Sequence, residues 1–179
     1  MYLDILVLSR LRQGAAHGYE LRRRIEATTS FAMHNNSLYP ALRRFEEAGA
    51  VERTTEPQDG RPPRHVYRIT PAGTRLLHDM AADLPDDLAG NEGEFLVRLS
   101  LFDDLAPHER ARVIAARDRA VELRLRRLEE IDGHAAGAGS PWGRLVAREM
   151  LARAERERGW LAELARRAAA LDPPSERTP

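Results

Sequence analysis

The residues best equipped to bind a polyanion lie in two short segments of the first half of the chain. The first segment supplies amide, hydroxyl, phenol and guanidinium groups within the set Asn36, Ser37, Tyr39, Pro40, Arg43 and Arg44. The second segment supplies Arg61, Arg64 and Tyr67. Arginine binds guanine bidentately or binds phosphate, asparagine pairs with adenine, and serine does either. These residue types predict contacts with double-stranded DNA, in which Arg44 and Ser37 read base edges and Arg61 and Arg64 mainly contact the backbone.

A helix must carry the first segment, because its apolar residues recur at helical spacing. At about 100° per residue, Leu38, Leu42 and Phe45 fall on one side and the polar residues fall on the other. The cluster Asn35-Asn36-Ser37 is typical of a helix start, and Gly49 is typical of the position after a helix end. We predict that this helix is the third in the chain.

The neighbouring elements have the order of a winged helix. Helices are predicted at 2–12, 18–28 and from Thr70-Pro71 to 82, and strands at 50–55 and 64–70. The turn-rich residues 57–63 form the tip of a hairpin between the strands. The sequence therefore predicts a helix–turn–helix followed by a two-stranded wing, with the third helix in the major groove.

Charge is distributed unevenly, although 28 basic and 28 acidic residues give a net charge of zero. Residues 1–75 contain 12 Arg against 8 acidic residues, which is +4, and residues 76–179 contain 16 Arg against 20, which is −4. This asymmetry favours a DNA-binding head on a separate body. Two alternatives are a third-helix face that is only solvated, and a protein-interaction module built on a winged-helix scaffold.

The second half of the chain predicts a helical dimerisation domain. The predicted divisions are a winged helix-turn-helix head at 1–83, a connection at 84–93, a helical dimerisation and effector domain at 94–171, and a disordered tail at 172–179. Two long helices are expected at about 107–131 and 141–171. Their apolar stripes have no evident partner in the small head, which predicts a homodimer through these helices. The predicted fold class is mainly α with a small β-wing (α+β).

Several motifs of the first 80 residues resemble the PadR family of bacterial transcriptional regulators. The matching segments include Gly18-Tyr19-Glu20-Leu21, Ser37-Leu38-Tyr39-Pro40-Ala41-Leu42, Asp59-Gly60-Arg61-Pro62 and Tyr67-Arg68-Ile69-Thr70-Pro71-Ala72-Gly73. The resemblance implies a sequence-specific DNA-binding regulator, expected to be a repressor that acts on an operator. Tyr19 is expected to be mainly a packing residue.

A weaker resemblance extends into the second half. The segments Glu94 to Leu99 and Arg158 to Leu161 are similar to the virulence-activator-type C-terminal domain of the family's larger subgroup. In that family, aromatic residues near the dimer interface line a pocket for small hydrophobic or aromatic effectors. The resemblance implies Phe95, Phe102 and Trp160 as effector-binding residues, and ordinary packing explains the same three aromatics equally well.

Enzyme chemistry finds no support in the residues. The chain has no Cys, and no two of its six His have an i,i+4 spacing. The segment from Gly137 to Gly143 matches neither the dinucleotide fingerprint nor the nucleophile elbow. We therefore predict no catalytic activity, no metal and no cofactor. Since Asp4 interrupts the first apolar run and no apolar stretch is long enough for a bilayer, we predict a cytoplasmic protein without membrane contact.

Overall fold

The computed structural model describes residues 2–27, 35–57, 64–138 and 140–170. The chain divides into two compact units, a head that ends at Ala81 and a helical unit that begins at Ala82. Among the helices of the described ranges, none is both long enough and apolar enough to cross a membrane.

Over its described residues, the head combines four helices with a three-stranded antiparallel sheet of order β1-β3-β2. In chain order its elements are α1 (Tyr2–Arg12), β1 (Ala16–His17), α2 (Gly18–Glu26), α3 (Asn35–Glu47), β2 (Val51–Glu56), β3 (Arg64–Ile69) and α4 (Pro71–Ala82). The β2–β3 register runs from Val51 opposite Ile69 to Glu56 opposite Arg64. This arrangement confirms the predicted fold class, a mainly helical winged helix with a small wing.

Apolar side chains at helical spacing build the core of the head. Ile5 and Leu8 of α1, Leu21 of α2, and Leu38 and Leu42 of α3 are all almost fully buried. Because α1 and α2 bury the apolar stripe of α3, the opposite side of α3 faces outward. The core thus fixes which face of this helix is available to a ligand.

The junction between the wing and α4 has the cap that the sequence predicts. The hydroxyl of Thr70 accepts a hydrogen bond from the backbone N–H of Gly73 at 3.0 Å and donates to the carbonyl oxygen of Gly49 at 2.7 Å. An added β-carbon on Gly73 would lie 2.0 Å from the carbonyl oxygen of Ala50, so only glycine fits there. This contact holds the start of α4 against the start of β2.

The helical unit is an antiparallel hairpin of two long helices, with short helical segments packed against it. Its elements are α5 (Asp86–Ala89), α6 (Glu92–Leu99), a 3-10 turn (Phe102–Asp104), α7 (Pro107–Ala138) and α8 (Pro141–Ala170). One core cluster joins residues of these elements, among them Phe95, Val113, Ile114, Val121, Leu128, Ala154, Leu161 and Ala168.

The structure of the helical unit corrects two expectations. The apolar stripes of the two long helices were expected to lack a partner within the chain, and they pack against each other instead, as Ile114, Val121 and Leu161 show. The predicted connection at 84–93 contains all of α5 and the start of α6. A homodimer therefore needs a different structural reason from the one that the stripes suggest.

Candidate nucleic-acid interface

The exposed face of α3 brings together most of the residues of the first predicted segment. Ser37, Tyr39, Pro40, Arg43 and Arg44 are all exposed. On the other side of the helix, the apolar core residues are at most 6% exposed, as in Leu38, Leu42 and Phe45. Asn36 lies in the first turn of α3, and its side chain lies outside the described residues.

Arg43 lies near the middle of this face. Counting about 100° per residue from the buried stripe, Pro40, Arg43 and Glu47 point directly away from the core. Arg43 is exposed and forms no ion pair with a residue in the described ranges. Its five N–H donors are therefore available to an acceptor outside the chain.

Arg44 lies on the flank of α3 that faces α1. Its guanidinium Nη2 donates to the Oδ1 atom of Asp4 at 2.7 Å. The Asp4 side chain is 20% exposed and that of Arg44 is 59% exposed. No local sequence pattern indicates this contact, because the two residues are 40 positions apart.

A cavity of about 490 Å³ lies on the opposite flank of α3, between that helix, the start of α2 and strand β3. Its lining residues are His17, Gly18, Tyr19, Glu20, Tyr39, Arg64, His65 and Tyr67. The structure thereby brings together Tyr39, Arg64 and Tyr67, which the sequence had singled out. Arg61, the remaining wing residue of the prediction, lies outside the described residues.

Three lining residues were missed as candidates for contact. His17 and His65 were not selected, and Tyr19 was expected to pack, whereas it is 63% exposed. The Arg22 guanidinium lies 5.3 Å from the centre of the Tyr19 ring. Strand β1 consists of just Ala16 and His17, so it leaves no strand pattern in the sequence. The position of His17-Gly18 directly at the start of α2 was therefore the only local sign that His17 could reach a ligand.

Hydrogen bonds fix the two histidines at the cavity. His17 Nδ1 lies 3.3 Å from the carbonyl oxygen of His65, and its Nε2 lies 3.9 Å from Glu56 Oε2. His65 Nδ1 lies 3.2 Å from the hydroxyl of Thr55. The only carboxylate among the lining residues, Glu20, is paired with Arg24. The lining therefore offers one guanidinium, that of Arg64, together with phenol and imidazole groups that can donate hydrogen bonds, which suits a phosphate.

Tyr67 forms a wall of this cavity rather than its open edge. The residue is only 6% exposed. Burial raises the pKa of its phenol above the ordinary value of 10.0, although the nearby Arg53 guanidinium opposes the rise. The phenol therefore stays protonated at neutral pH and retains its hydrogen-bond donor.

A second cavity, of about 590 Å³, lies in the helical unit beside Trp160. Its lining combines three arginines, two carboxylates and three large apolar side chains: Glu92, Arg124, Leu128, Met150, Arg153, Arg156, Glu157 and Trp160. The two carboxylates differ in availability, because Glu157 is held by Arg117 and Arg124 at 2.5 Å each.

Of the three aromatic residues expected to bind an effector, only Trp160 lines this cavity. Phe95 is fully buried and meets the Trp160 ring edge-on, with ring centres 5.9 Å apart and planes at 88°. Phe102 is partly buried and packs against the core cluster of the unit. The packing explanation therefore fits Phe95 and Phe102, and Trp160 remains a candidate, being 41% exposed.

Several known proteins are similar to this chain in sequence, chiefly over the head. Residues 7–79 match the model of the transcriptional regulator PadR-like family. A PadR family transcriptional regulator from Eggerthella lenta DSM 2243 is 36% identical, over 45% of this chain and 69% of that protein, with a TM-score of 0.41. An uncharacterized 37.1 kDa protein in transposon TN4556 of Streptomyces fradiae is 34% identical over 111 residues. That match covers 61% of this chain and 31% of the relative.

A more extensive but more distant similarity connects the chain to PadR of Bacillus subtilis, solved with operator DNA. It covers 92% of this chain and 97% of that protein, at 18% identity and a TM-score of 0.42. Because these TM-scores lie below 0.5, the relationship rests on the sequence matches over the head.

Proposed function

The chain belongs to the PadR-like family of DNA-binding transcriptional regulators, and we propose that it is an operator-binding repressor that acts as a homodimer. The observation that carries this proposal is the outward face of α3, which has Arg43 at its centre and a donor-rich cavity on one flank. A winged helix places such a face in the major groove, while the DNA backbone runs beside the wing.

We assign the contacts with DNA bases to the centre of the outward face of α3. Arg43 and Asn36 lie near this centre and offer the donors and acceptors that distinguish base pairs in the major groove. Ser37 lies on the flank that carries Arg44, in the first turn of α3, and its hydroxyl adds a donor and acceptor from there. The sequence alone favoured Arg44 as the base-reading arginine. Its bond to Asp4 on α1 moves our assignment to Arg43, which points directly away from the core.

We assign the contacts with the DNA backbone to the cavity between α3 and the wing. Tyr39 is 46% exposed and Arg64 is exposed, and both line the cavity, so a phosphate placed there would meet a phenol and a guanidinium. Tyr67 is buried, so it supports the cavity wall. Arg61 keeps the backbone-contacting role that the sequence predicts for the wing tip. Contacts of this kind set register and affinity without reading sequence.

The homodimer rests on exposed apolar side chains of the hairpin. Trp142, Leu145, Val146 and Met150 of α8 are between 45% and 76% exposed, and Ile131 of α7 is 57% exposed. An apolar stripe of this length is unusual on a monomer and marks an interaction surface. A second copy offers the same stripe, so a two-fold interface would cover both. Such a dimer occupies two half-sites one helical turn apart, which blocks that DNA to other proteins.

We place the effector-binding site in the cavity beside Trp160. An indole face beside three guanidinium groups suits an aromatic carboxylate, whose ring would stack on the indole. Its carboxylate would compete with Glu149, which lies 2.8 Å from Arg153 and, less closely, 3.4 Å from Arg156. A ligand there changes DNA affinity only by as much as it prefers one arrangement of the dimer over another. Release from the operator is thus the expected response to such a compound.

The proposal is tested by fluorescence anisotropy with duplexes from the region upstream of the chain's own gene. A specific duplex should bind more tightly than a scrambled one, and its affinity should fall about 10³–10⁵-fold between 50 and 200 mM salt if six to ten phosphates are contacted. In Arg43→Ala, discrimination at one base pair should fall by about 1–3 kcal/mol. A protein-interaction module would show neither a preferred duplex nor a steep salt dependence.

A further inference from the structure

We propose that Asp4 limits the sequence-independent affinity of the head for DNA by cancelling the charge of Arg44. This inference rests on the proposed DNA-binding function. It assigns a role in that function to a residue of α1, outside both the α3 face and the wing.

The position of Arg44 determines which part of DNA it can meet. Its direction lies roughly 70° from the centre of the outward face of α3, on the side of α1. A side chain at the centre of a recognition helix meets base edges, whereas one on the flank faces the walls of the groove, which are phosphates. Arg44 is 59% exposed, so its guanidinium can reach such a phosphate.

Asp4 is the more firmly held member of the pair. Its side chain is 20% exposed, and the residues that follow it, Ile5, Val7 and Leu8, are fully buried in the core of the head. The carboxylate therefore stays at the flank of α3 whether or not Arg44 remains bonded to it. If Arg44 turned towards a phosphate, an unpaired carboxylate would be left beside the same polyanion.

The pair of Arg44 and Asp4 consequently presents no net charge to DNA. An arginine that contacts phosphate releases counterions and steepens the dependence of affinity on salt, and a neutral pair does not. Suppressing this contact lowers binding to every sequence alike. The regulator then depends on Arg43 and the cavity for its affinity, and less of it is held on random DNA.

Four full-length variants test the inference: Asp4→Asn, Arg44→Gln, the double variant, and Asp79→Asn as a control. Asp79 is an exposed carboxylate on α4 with no ion pair to a residue that the structure describes, so the control repeats the chemical change in the same unit. Each variant is titrated with an operator duplex and a scrambled duplex over a range of salt, after a thermal melt confirms folding.

Asp4→Asn should bind both duplexes about threefold to tenfold more tightly at low salt, with the salt slope steeper by about one unit. The double variant should match the wild type within about twofold, because it replaces one neutral pair with another. Weaker operator binding by Asp4→Asn, no change, or a double variant as weak as Arg44→Gln, would overturn the inference while leaving the proposed function intact. A wild-type chain that binds neither duplex would overturn the proposed function itself, and this inference with it.

Discussion

The phenol ring of Tyr39 lies directly against the α-carbon of Gly18, so that the third helix touches the start of the second where a larger residue would displace the ring. A β-carbon added at Gly18 would lie 2.9 Å from Tyr39 Cε1 and 3.0 Å from its hydroxyl oxygen. Both residues line the cavity beside the wing. Gly18 therefore determines where the Tyr39 hydroxyl stands at the proposed backbone contact.

We expect Gly18→Ala to weaken DNA binding without unfolding the head. The new methyl group must displace the Tyr39 ring, and the loss of one hydrogen bond to a charged phosphate costs about 1.5–3 kcal/mol. Anisotropy titration should show a loss for operator and scrambled DNA alike, because a phosphate contact carries no sequence information.

The control is Gly90→Ala, because a β-carbon there would meet nothing within 4 Å and the residue lies in none of the proposed contact surfaces. It should leave DNA binding unchanged. In a Tyr39→Ala background, Gly18→Ala should have no further effect. A full additional loss in that background would mean that Gly18 acts by some route other than the tyrosine.

The buried pair Glu94–Arg98 predicts a strong stability effect in the helical unit. Arg98 is fully buried; its Nη1 donates to Glu94 Oε2 at 2.7 Å and its Nε donates to the carbonyl oxygen of Asp83 at 2.7 Å. Arg98→Ala leaves a buried carboxylate without its cation, which costs about 3–5 kcal/mol. Urea unfolding followed by tryptophan fluorescence reports on this unit, since both tryptophans lie in it.

Arg126→Ala provides the matched comparison. Arg126 pairs with Glu122 at 2.6 Å, also at i,i+4 spacing, but on the exposed surface of α7. Its removal should change the unfolding midpoint little, because solvent screens exposed pairs. Equal effects of the two substitutions would show that burial does not set the cost of breaking the pair.

Local patterns were enough to predict the head. The stripe of Leu38, Leu42 and Phe45 gives the outward face of α3, and Thr70 before Pro71 gives the cap of α4. Both signals depend on residues close together in sequence. The two-residue strand β1 was missed because its evidence is pairing with β3, which lies about 50 residues later.

Contacts between distant residues explain what the sequence could not predict. Asp4 and Arg44 are 40 positions apart, and nothing in either segment indicates that they bond. The same holds for the helical unit, where periodicity shows that α7 and α8 each bury a stripe. It does not show that the two helices cover each other or that Phe95 lies beneath Trp160.

The exposed stripe of α8 predicts that one charge disrupts the dimer. Val146 is 58% exposed between Trp142 and Met150, so Val146→Glu should place a carboxylate in the middle of the interface. Burying an unpaired charge is costly, and the chain should become monomeric in light scattering. It should also lose operator affinity, because a monomer fills one half-site.

Arg148→Gln is the control, since it also lowers the net charge by one. Arg148 lies two residues further along α8, about 200° around the helix, and is exposed. This variant should remain a dimer. A dimeric Val146→Glu protein would move the interface away from this stripe.

The cavity beside Trp160 predicts a response to aromatic carboxylates. Trp142→Phe leaves Trp160 as the only tryptophan, so its fluorescence reports on this cavity alone. Titration with a simple aromatic carboxylate, benzoic acid, should quench that signal to saturation, and operator affinity, measured in parallel, should fall. Arg156→Gln should weaken binding of the compound roughly tenfold to a hundredfold, because a charge-assisted hydrogen bond contributes about 1.5–3 kcal/mol.

Two comparisons separate this mechanism from adventitious binding. Benzyl alcohol has the same ring without the carboxylate, so it should quench Trp160 only at much higher concentration. Arg148→Gln removes an arginine that does not line the cavity and should bind the acid like the wild type. If benzoic acid saturates the quenching of Trp160 and leaves operator affinity unchanged, this cavity does not control DNA binding through that compound. Thermodynamic linkage supports that conclusion. A ligand that alters the protein's affinity for DNA must itself bind the protein with a different affinity when DNA is present.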